Sequence, residues 1–187
     1  MTLPSSKDMT EPVSKQFLLP NTRQSIKSSV EELLDFIVNQ LPATVNKESI
    51  SFKVEVILIE LLTNGIKHAG TKETFLDITV DDKSITIDKK DFGNRYQPGN
   101  ITSLLIHDPG YRELLTKDGL HSMYAVVMSD TQIKFVCEEV DDEDSPLDVC
   151  NLMEHFGLLI ITKASDNFTY EYDIAKGLNT FSVYIEV

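Results

Sequence analysis

Apolar residues recur at helical spacing in two long segments of the N-terminal half. Over residues 22–41 they follow the i, i+3, i+4 pattern of a single helix face, and Pro42 then ends the helix. A second helix is predicted over residues 48–68, with Gly70 as its stop signal. Its central segment, residues 54–62, is apolar on most faces, which predicts that this helix is largely buried.

Strand patterns follow the two predicted helices and recur in the last third of the chain. Residues 75–80 and 84–88 alternate apolar and polar side chains around the turn-forming sequence 81–83, which predicts a hairpin. Residues 17–21 could form a short edge strand or an arm, and the polar residues 1–16 are predicted to be a flexible N-terminal tail. Four further segments have β-like composition: residues 132–137, 158–163, 168–173 and 180–187.

The segment between these two groups of strands carries mixed signals. Prolines and glycines predict a long, partly irregular stretch over residues 94–118, with short helical pieces at 102–106 and 111–115. Residues 119–129 place apolar side chains on one face at helical spacing, which predicts a third helix. Helices gathered against a mostly antiparallel sheet make an α+β fold, a two-layer α/β sandwich.

The composition is that of an ordinary globular domain with a strong negative charge. The 187 residues are enough for one domain with a full core, and 41% of them are hydrophobic. A net charge of −13 argues against a nucleic-acid-binding surface, which needs basic patches. No apolar run approaches the roughly 20 residues that cross a bilayer, and Cys137 and Cys150 suggest no disulfide framework. We therefore expect a cytoplasmic protein that binds neither nucleic acid nor membrane.

Two polar side chains interrupt the apolar second helix. Glu60 and Asn64 are four residues apart, so they lie on the same helix face, and His68 continues that stripe one turn later. A buried carboxylate and a buried carboxamide are costly unless a partner satisfies them. A hydrated magnesium ion carrying phosphate oxygens would do so, because Mg²⁺ prefers oxygen ligands and keeps several of its waters.

The spacing of Glu60, Asn64 and His68 resembles the N box of the GHKL ATPases, the Bergerat-fold group of gyrase-type, Hsp90-type and histidine-kinase ATP domains. Within that group the chain is most similar to the anti-sigma-factor serine/threonine kinases. The resemblance covers residues 17–187 and implies a histidine-kinase-like ATPase domain, with helices on one face of a mostly antiparallel mixed sheet. It also implies that Asn64 binds Mg²⁺, that Glu60 is the general base, and that His68 belongs to the ATP site.

A second resemblance to this family follows the predicted hairpin. The family has an Asp whose carboxylate accepts a hydrogen bond from the adenine amino group, followed by two glycines and an aromatic residue. Here Asp91, Gly93 and Tyr96 match that pattern, whereas Arg95 replaces the second glycine. The alternative interpretation is an ordinary Asp-x-Gly surface turn.

Two weaker matches complete the resemblance. The family has a glycine pair that ends the ATP lid and opens a helix, where backbone N–H groups bind phosphate. Gly119 matches the second of these glycines, while Lys117 stands at the first and could contact a phosphate as a point charge. Thr180, near the start of the last strand, matches a Thr that supports adenine. An ordinary helix N-terminus and an ordinary strand Thr are the alternatives.

The resemblance implies a magnesium- and ATP-dependent kinase. Glu60 would accept the proton of a Ser or Thr hydroxyl on a partner protein, either a sigma factor or a small anti-sigma antagonist, during attack on the γ-phosphate. Lys117, Arg112 or His107 could reach that phosphate, and a homodimer is compatible with this assignment. The alternative is a degenerate, non-catalytic protein-binding module, in which Arg95 or Lys117 fills the phosphate space. Such a module would act through its surface, for example through the acidic residues 138–144.

Overall fold

The computed structural model describes residues 11–99, 101, 108–139 and 149–187, and within 149–154 the backbone alone. These residues form an α+β fold with one eight-stranded sheet and three α-helices. The elements in chain order are β1 (Val13–Pro20), α1 (Ile26–Gln40), α2 (Lys47–Asn64), β2 (Glu73–Val80), β3 (Ser84–Asp91), β4 (Arg112–Lys117), β5 (His121–Val127), β6 (Gln132–Glu139), α3 (Val149–Ala164), β7 (Asn167–Asp173) and β8 (Leu178–Glu186).

The strands are ordered β1-β2-β3-β8-β7-β6-β5-β4 across the sheet. All seven pairings between the described strands are antiparallel, so the expected mixed sheet contains no parallel pair in this part of the chain. The chain builds β1, β2 and β3 first, and its last strand β8 then pairs with β3. This return brings residues near positions 91 and 179 side by side, which is where the cavity described below lies.

Local signals set the ends of the first elements. Asn46 caps α2, because its Oδ1 accepts the N–H of Ser49 at 3.2 Å. The β2–β3 turn is closed by Asp81, whose Oδ1 accepts the N–H groups of Lys83 and Ser84, each at 2.7 Å. The carboxyl pKa of Asp81 is lowered, chiefly by the Lys83 hydrogen bond.

The N-terminal half agrees with the sequence patterns. Both predicted helices and the predicted hairpin are confirmed. α1 ends just before Pro42, and a π-helical turn that continues α2, Gly65–Ala69, ends just before Gly70. The first strand, however, begins at Val13, inside the segment assigned to the flexible tail, and it pairs along its whole length with β2. α2 is also less enclosed than its apolar sequence predicts, since Phe52 remains 69% exposed.

The central segment was predicted wrongly. The helix expected over residues 119–129 is the strand β5, and the helical piece expected over 111–115 belongs to β4. In β5 the buried residues alternate, Met123, Ala125 and Val127 lying on one face, so the chain follows period two here. The other short helical piece, over residues 102–106, lies outside the described residues.

The strand expected over residues 158–163 is also wrong, because these residues belong to α3. Their β-branched composition favours a strand in isolation, but tertiary packing overrides such propensities. As a helix, the segment buries Leu158, Leu159 and Ile161, and Thr162 Oγ1 donates to the Leu158 carbonyl one turn earlier. The three other predicted strands of this region are confirmed as β6, β7 and β8.

The helices contact one another and the sheet. α2 packs against both α1 and α3, while α1 contacts β2 and α3 contacts β4, β6 and β7. A single apolar cluster runs through these contacts and includes fully buried side chains from α1, α2, β2, β3 and β7. Among the described residues, no helix is both long enough and apolar enough to cross a membrane.

Candidate functional site

A cavity of about 280 Å³ opens between the C-terminal end of α2, the middle of α3 and the ends of β3 and β8. Its volume is near the lower end of the range for small-molecule sites. Asn64, Asp91 and Tyr96 all line it, although they come from separate segments of the chain. The structure therefore places the predicted magnesium ligand beside two residues of the predicted adenine site.

At its C-terminal end α2 continues into a π-helical turn, Gly65–Ala69, which closes at Gly70 in the left-handed backbone conformation (φ 65°). Single π-helical turns occur often at functional sites. Asn64 is the last α-helical residue before this turn and is half-buried, whereas His68 on the turn is exposed. Asn64 and His68 both line the cavity.

Glu60, the predicted general base, lies one turn before Asn64 and does not line the cavity. Instead it contacts α3 at Gly157, where an added Cβ would lie 2.5 Å from Glu60 Oε2 and 3.3 Å from Asn64 Nδ2. Glycine at position 157 therefore allows α3 to approach both polar side chains of α2. Glu60 is half-buried at this contact between the two helices.

Asp91 ends β3 and is only 3% exposed, but its carboxylate is already well supplied with donors. Oδ2 accepts a hydrogen bond from Lys89 Nζ at 2.5 Å, in an ion pair whose two side chains are both buried. Oδ1 accepts the Gly93 N–H at 2.9 Å and Asn179 Nδ2 at 3.0 Å. The carboxylate that resembles an adenine acceptor is thus partly neutralised by a lysine.

A chain of hydrogen bonds continues from Asp91 through β8 to β7. Asn179 Oδ1 accepts from the Tyr170 hydroxyl at 2.8 Å, and that hydroxyl accepts the N–H of Tyr96 at 3.1 Å. Burial raises the pKa of Tyr170 to about 12, so its hydroxyl keeps its proton and remains a donor to Asn179 at neutral pH. The network fixes the floor of the cavity and the loop that carries Tyr96.

Gly93 is required by the close approach of two backbone segments. A Cβ at this position would overlap the carbonyl oxygen of Ala69, in the π-helical turn. The end of β3 therefore packs directly on the turn that follows Asn64. This contact explains in steric terms why a glycine stands two residues after Asp91.

The two residues matched to the phosphate-binding glycines lie elsewhere. Lys117 is the last residue of β4, and Gly119 lies in the β4–β5 turn with φ 90°, so the helix that this match requires is absent there. The turn contacts α3 near its end, since Asp118 Oδ2 accepts Lys163 Nζ at 3.0 Å. His155, which lines the cavity, is eight residues earlier on α3, or about 12 Å along the helix. Neither Lys117 nor Gly119 lines the cavity.

The remaining predicted residues are also dispersed. Thr180 does not line the cavity, and it points to the opposite face of the sheet from its neighbour Asn179, which does. Arg112 is in β4, where its guanidinium lies 2.7 Å from the Glu138 carboxylate. Arg95 lines the cavity, but its guanidinium stacks 5.1 Å above the ring of Tyr172. His107 and residues 140–144 of the acidic run lie outside the described part of the chain.

Sequence reasoning did not identify Lys89, Asn179 or Gly157. Lys89 had a signal, because it is a charged residue on the otherwise apolar face of an alternating strand that carries Ile85 and Ile87. Asn179 and Gly157 had no comparable signal, since their importance comes from pairing with β3 and from contact with α2. Only the tertiary structure brings these residues to the cavity.

The donor set of the cavity suits an organic ligand better than a bare metal ion. Within the described residues, no group of three or more His, Cys, Asp or Glu side chains could hold a metal. The cavity offers aromatic rings from Tyr96 and Phe181, an amide from Asn64, and the Lys89–Asp91 pair. Such a combination can bind a planar ring and hydrogen-bond its polar edge.

Comparison with known proteins finds no family model that matches the sequence and no curated protein with significant similarity to it.

Proposed function

We propose that the protein binds ATP in this cavity, in a Bergerat-type two-layer sandwich, and acts as a serine/threonine kinase of the anti-sigma-factor type. The observation that carries the proposal is that Asn64 and Asp91, which match two separate motifs of the family, line one cavity together with Tyr96. Their positions at the ends of α2 and β3 agree with the order of motifs that suggested the family. The contacts of α1 and α3 with the sheet support the two-layer arrangement.

The base of the nucleotide would lie over the Asp91 end of the cavity. Asp91 Oδ2 has one acceptor position left for an adenine amino group, after the hydrogen bonds from Lys89, Gly93 and Asn179. Tyr96 and Phe181 supply aromatic surface for the ring, with their own rings 5.5 Å apart. The phosphates would then extend towards Asn64.

The residues present fit Mg²⁺ bound mainly through phosphate. Asn64 offers one neutral oxygen ligand, and the described residues contain no carboxylate cage beside it. Magnesium in phosphate sites keeps several waters and takes only one or two protein ligands, so a single carboxamide is sufficient. When bound, the ion would offset phosphate charge during transfer.

Glu60 would take the proton of the attacking hydroxyl in this proposal. Its carboxylate is held against Gly157 beside Asn64, which keeps it one helical turn from the magnesium ligand. The acceptor hydroxyl would belong to a Ser or Thr of a partner protein, by resemblance a sigma factor or an anti-sigma antagonist. Water can replace that hydroxyl, which gives a measurable hydrolysis reaction.

A non-catalytic protein-binding module of the same fold is the second candidate. Two observations favour it: Glu60 does not line the cavity, and Lys89 occupies one side of Asp91. The predicted plugging by Arg95 or Lys117 does not support it, because Arg95 stacks on Tyr172 and Lys117 is not among the lining residues. Catalysis, rather than binding, separates the two candidates.

Calorimetric titration with ATP, with and without Mg²⁺, tests the binding step. We expect saturable binding that Mg²⁺ strengthens, and a Tm that rises with ATP because the ligand binds only the folded state. Asn64→Ala should abolish the effect of Mg²⁺ while leaving a folded protein. Absence of binding at millimolar ATP, in a sample that unfolds cooperatively, would refute nucleotide binding.

Phosphate release from ATP tests the chemical step. Glu60→Gln preserves size and hydrogen bonding but removes the base, so we expect the rate to fall by roughly 100-fold or more with ATP affinity little changed. Glu55→Gln is the matched control, because Glu55 is exposed on the same helix. Equal rates for Glu60→Gln, Glu55→Gln and wild type, all above the uncatalysed rate, would show that Glu60 is not the base. Rates at the uncatalysed level in all three would favour the non-catalytic module.

A further inference from the structure

Lys89 is a charged residue of the cavity that the proposed function does not use. It is only 3% exposed, yet it lines the cavity next to Asp91. Its side chain is fixed from two sides. An added Cβ on Gly65 would lie 3.1 Å from Lys89 Cε, and Lys89 Nζ lies 5.5 Å from the centroid of the Phe181 ring. A buried ammonium held this firmly can act as a directed donor.

The hydrogen bonds of the pair leave one donor side and one acceptor side open. Among the residues that the structure describes, Oδ1 of Asp91 accepts two N–H groups, whereas Oδ2 accepts Lys89 alone. An ammonium has three donors, and within the described residues Lys89 uses one of them, on Asp91. An acceptor and a donor 2.5 Å apart therefore stand side by side at the cavity.

We propose that Lys89 and Asp91 contact the base together, so that the cavity takes guanine nucleotides as well as adenine nucleotides. This inference rests on the proposed function, since it assumes that a nucleotide base occupies the cavity. Adenine would donate its amino group to Asp91 and accept from Lys89 at a ring nitrogen. Guanine would accept from Lys89 at its 6-oxo group and donate its ring N–H to Asp91. Both bases offer a donor and an acceptor on neighbouring atoms.

A carboxylate alone would not have this property. It provides acceptors only, so it can accept the adenine amino group or the guanine ring N–H, but it leaves the adenine ring nitrogen or the guanine 6-oxo group without a donor. A polar ligand atom left without a partner in a buried site lowers affinity strongly. Lys89 supplies the missing donor for either base, so the pair can hold both purines.

The next residue provides a matched control. Lys90 also forms an ion pair, with Asp77 at 2.6 Å, but on the opposite face of β3 and away from the cavity. Lys90→Met removes the same charge from the same strand. Any loss of nucleotide affinity that appears in Lys89→Met and not in Lys90→Met therefore comes from the position of the ammonium in the cavity.

Calorimetric titration of the wild type, Lys89→Met and Lys90→Met with magnesium ATP and magnesium GTP tests the inference. In the wild type we expect the two affinities to agree within about tenfold, because one hydrogen-bonded pair serves both bases. Lys89→Met should lose affinity for both nucleotides by roughly 10- to 100-fold, as for a lost hydrogen bond to a charged group. Lys90→Met should keep both wild-type affinities.

Several results would overturn the inference. If the wild type binds ATP but rejects GTP by more than about 100-fold, the cavity does not take both purines, and the proposed ATP function still stands. If Lys89→Met binds both nucleotides as tightly as Lys90→Met does, Lys89 does not contact the base. If neither nucleotide binds the wild type, both the inference and the proposed function fail. If Lys89→Met does not fold, the ratio of the wild-type affinities for ATP and GTP alone decides whether the cavity takes both purines.

Discussion

Two adjacent lysines on β3 form the same chemical pair in two different environments. Lys89 pairs with Asp91 at 2.5 Å and Lys90 pairs with Asp77 at 2.6 Å. The side chains of the first pair are 4% and 3% exposed, and those of the second are 28% and 30% exposed. The two pairs differ in burial, not in distance, because consecutive strand residues point to opposite faces of the sheet.

The comparison shows how one strand can serve the core and the surface differently. The charges of the Lys90 pair remain partly solvated, so forming the pair gains little and losing it costs little. The charges of the Lys89 pair have lost most of their water, so each depends on the other and on the N–H groups of Gly93 and Asn179. The same burial that makes the pair costly to break also makes it useful for recognising a ligand.

The largest predicted effect is the loss of the buried partner. Lys89→Met leaves the Asp91 carboxylate buried without its cation, so we expect a loss of about 3–5 kcal/mol in the free energy of unfolding. Lys90→Met should cost no more than about 1 kcal/mol, because its partner can be solvated. Denaturant unfolding of both variants measures the difference. Equal losses would show that burial does not distinguish the two pairs.

A smaller loss of stability is expected when a side chain is added to the backbone next to the buried Lys89–Asp91 pair. In Gly93→Ala the new Cβ meets the carbonyl of Ala69, which cannot rotate away, so we expect about 1–3 kcal/mol of destabilisation and weaker ligand binding. Gly157→Ala is the control, since its Cβ meets the flexible tip of Glu60 and alanine gains up to about 1 kcal/mol in helix propensity. Thermal unfolding compares the two, and a larger loss for Gly157→Ala would contradict the steric argument.

The smallest effect concerns a third ion pair, Lys163–Asp118, whose side chains are 38% and 21% exposed. Partial burial acts to raise the pKa of the Asp118 carboxyl, but hydrogen bonds from Lys163, Leu120 and His121 outweigh it and hold that pKa well below its usual value. A lowered carboxyl pKa in the folded state stabilises the fold above the ordinary carboxyl range, near pH 4, and this stability is lost as the pH falls below it. Asp118→Asn should cost about 1 kcal/mol at pH 7.

The free energy of unfolding, measured as a function of pH, tests the direction of this effect. Asp118→Asn should be less stable than the wild type at neutral pH. The gap should narrow as the pH falls below about 4, because the unfolded wild type then gains a proton that the folded carboxylate still resists. A gap that widens on acidification would show that Asp118 is not stabilised in its charged form.

The sequence predicted elements well where local signals and periodicity agree. α1 and α2 have helical periodicity with a proline or glycine at the end, and the β2–β3 hairpin has alternation with an Asp-rich turn. Residues 119–129 and 158–163 were predicted wrongly because a short apolar run fits the 3.6-residue period of a helix and the two-residue period of a strand equally well. In β5 the pairing with β4 and β6 decides for a strand, and in α3 the contacts with α2 and the sheet decide for a helix.

The candidate site shows the same division. Four predicted residues lie at or just after the ends of α2 and β3, which periodicity predicts well: Asn64, Asp91, Gly93 and Tyr96. The structure places all four at or beside the cavity. Three further residues rest on short motif matches: Lys117, Gly119 and Thr180. For the first two the sequence predicted a helix where the chain forms strands and a turn, and for Thr180 it did not show which face of the sheet the side chain occupies. None of the three lines the cavity.

The sequence by itself determined the α+β class, the apolar α2 with its Glu60–Asn64 stripe, and the hairpin that ends at Asp91, because these depend on periodicity and turn chemistry within a few residues. Only the tertiary structure decided that β8 returns to β3, that Asn179 reaches Asp91, and that α3 packs against α2 at Gly157. The physical reason is that these contacts join residues far apart in the chain. Their free energy comes from burial and from satisfying buried polar groups, and neither leaves a local pattern in the sequence.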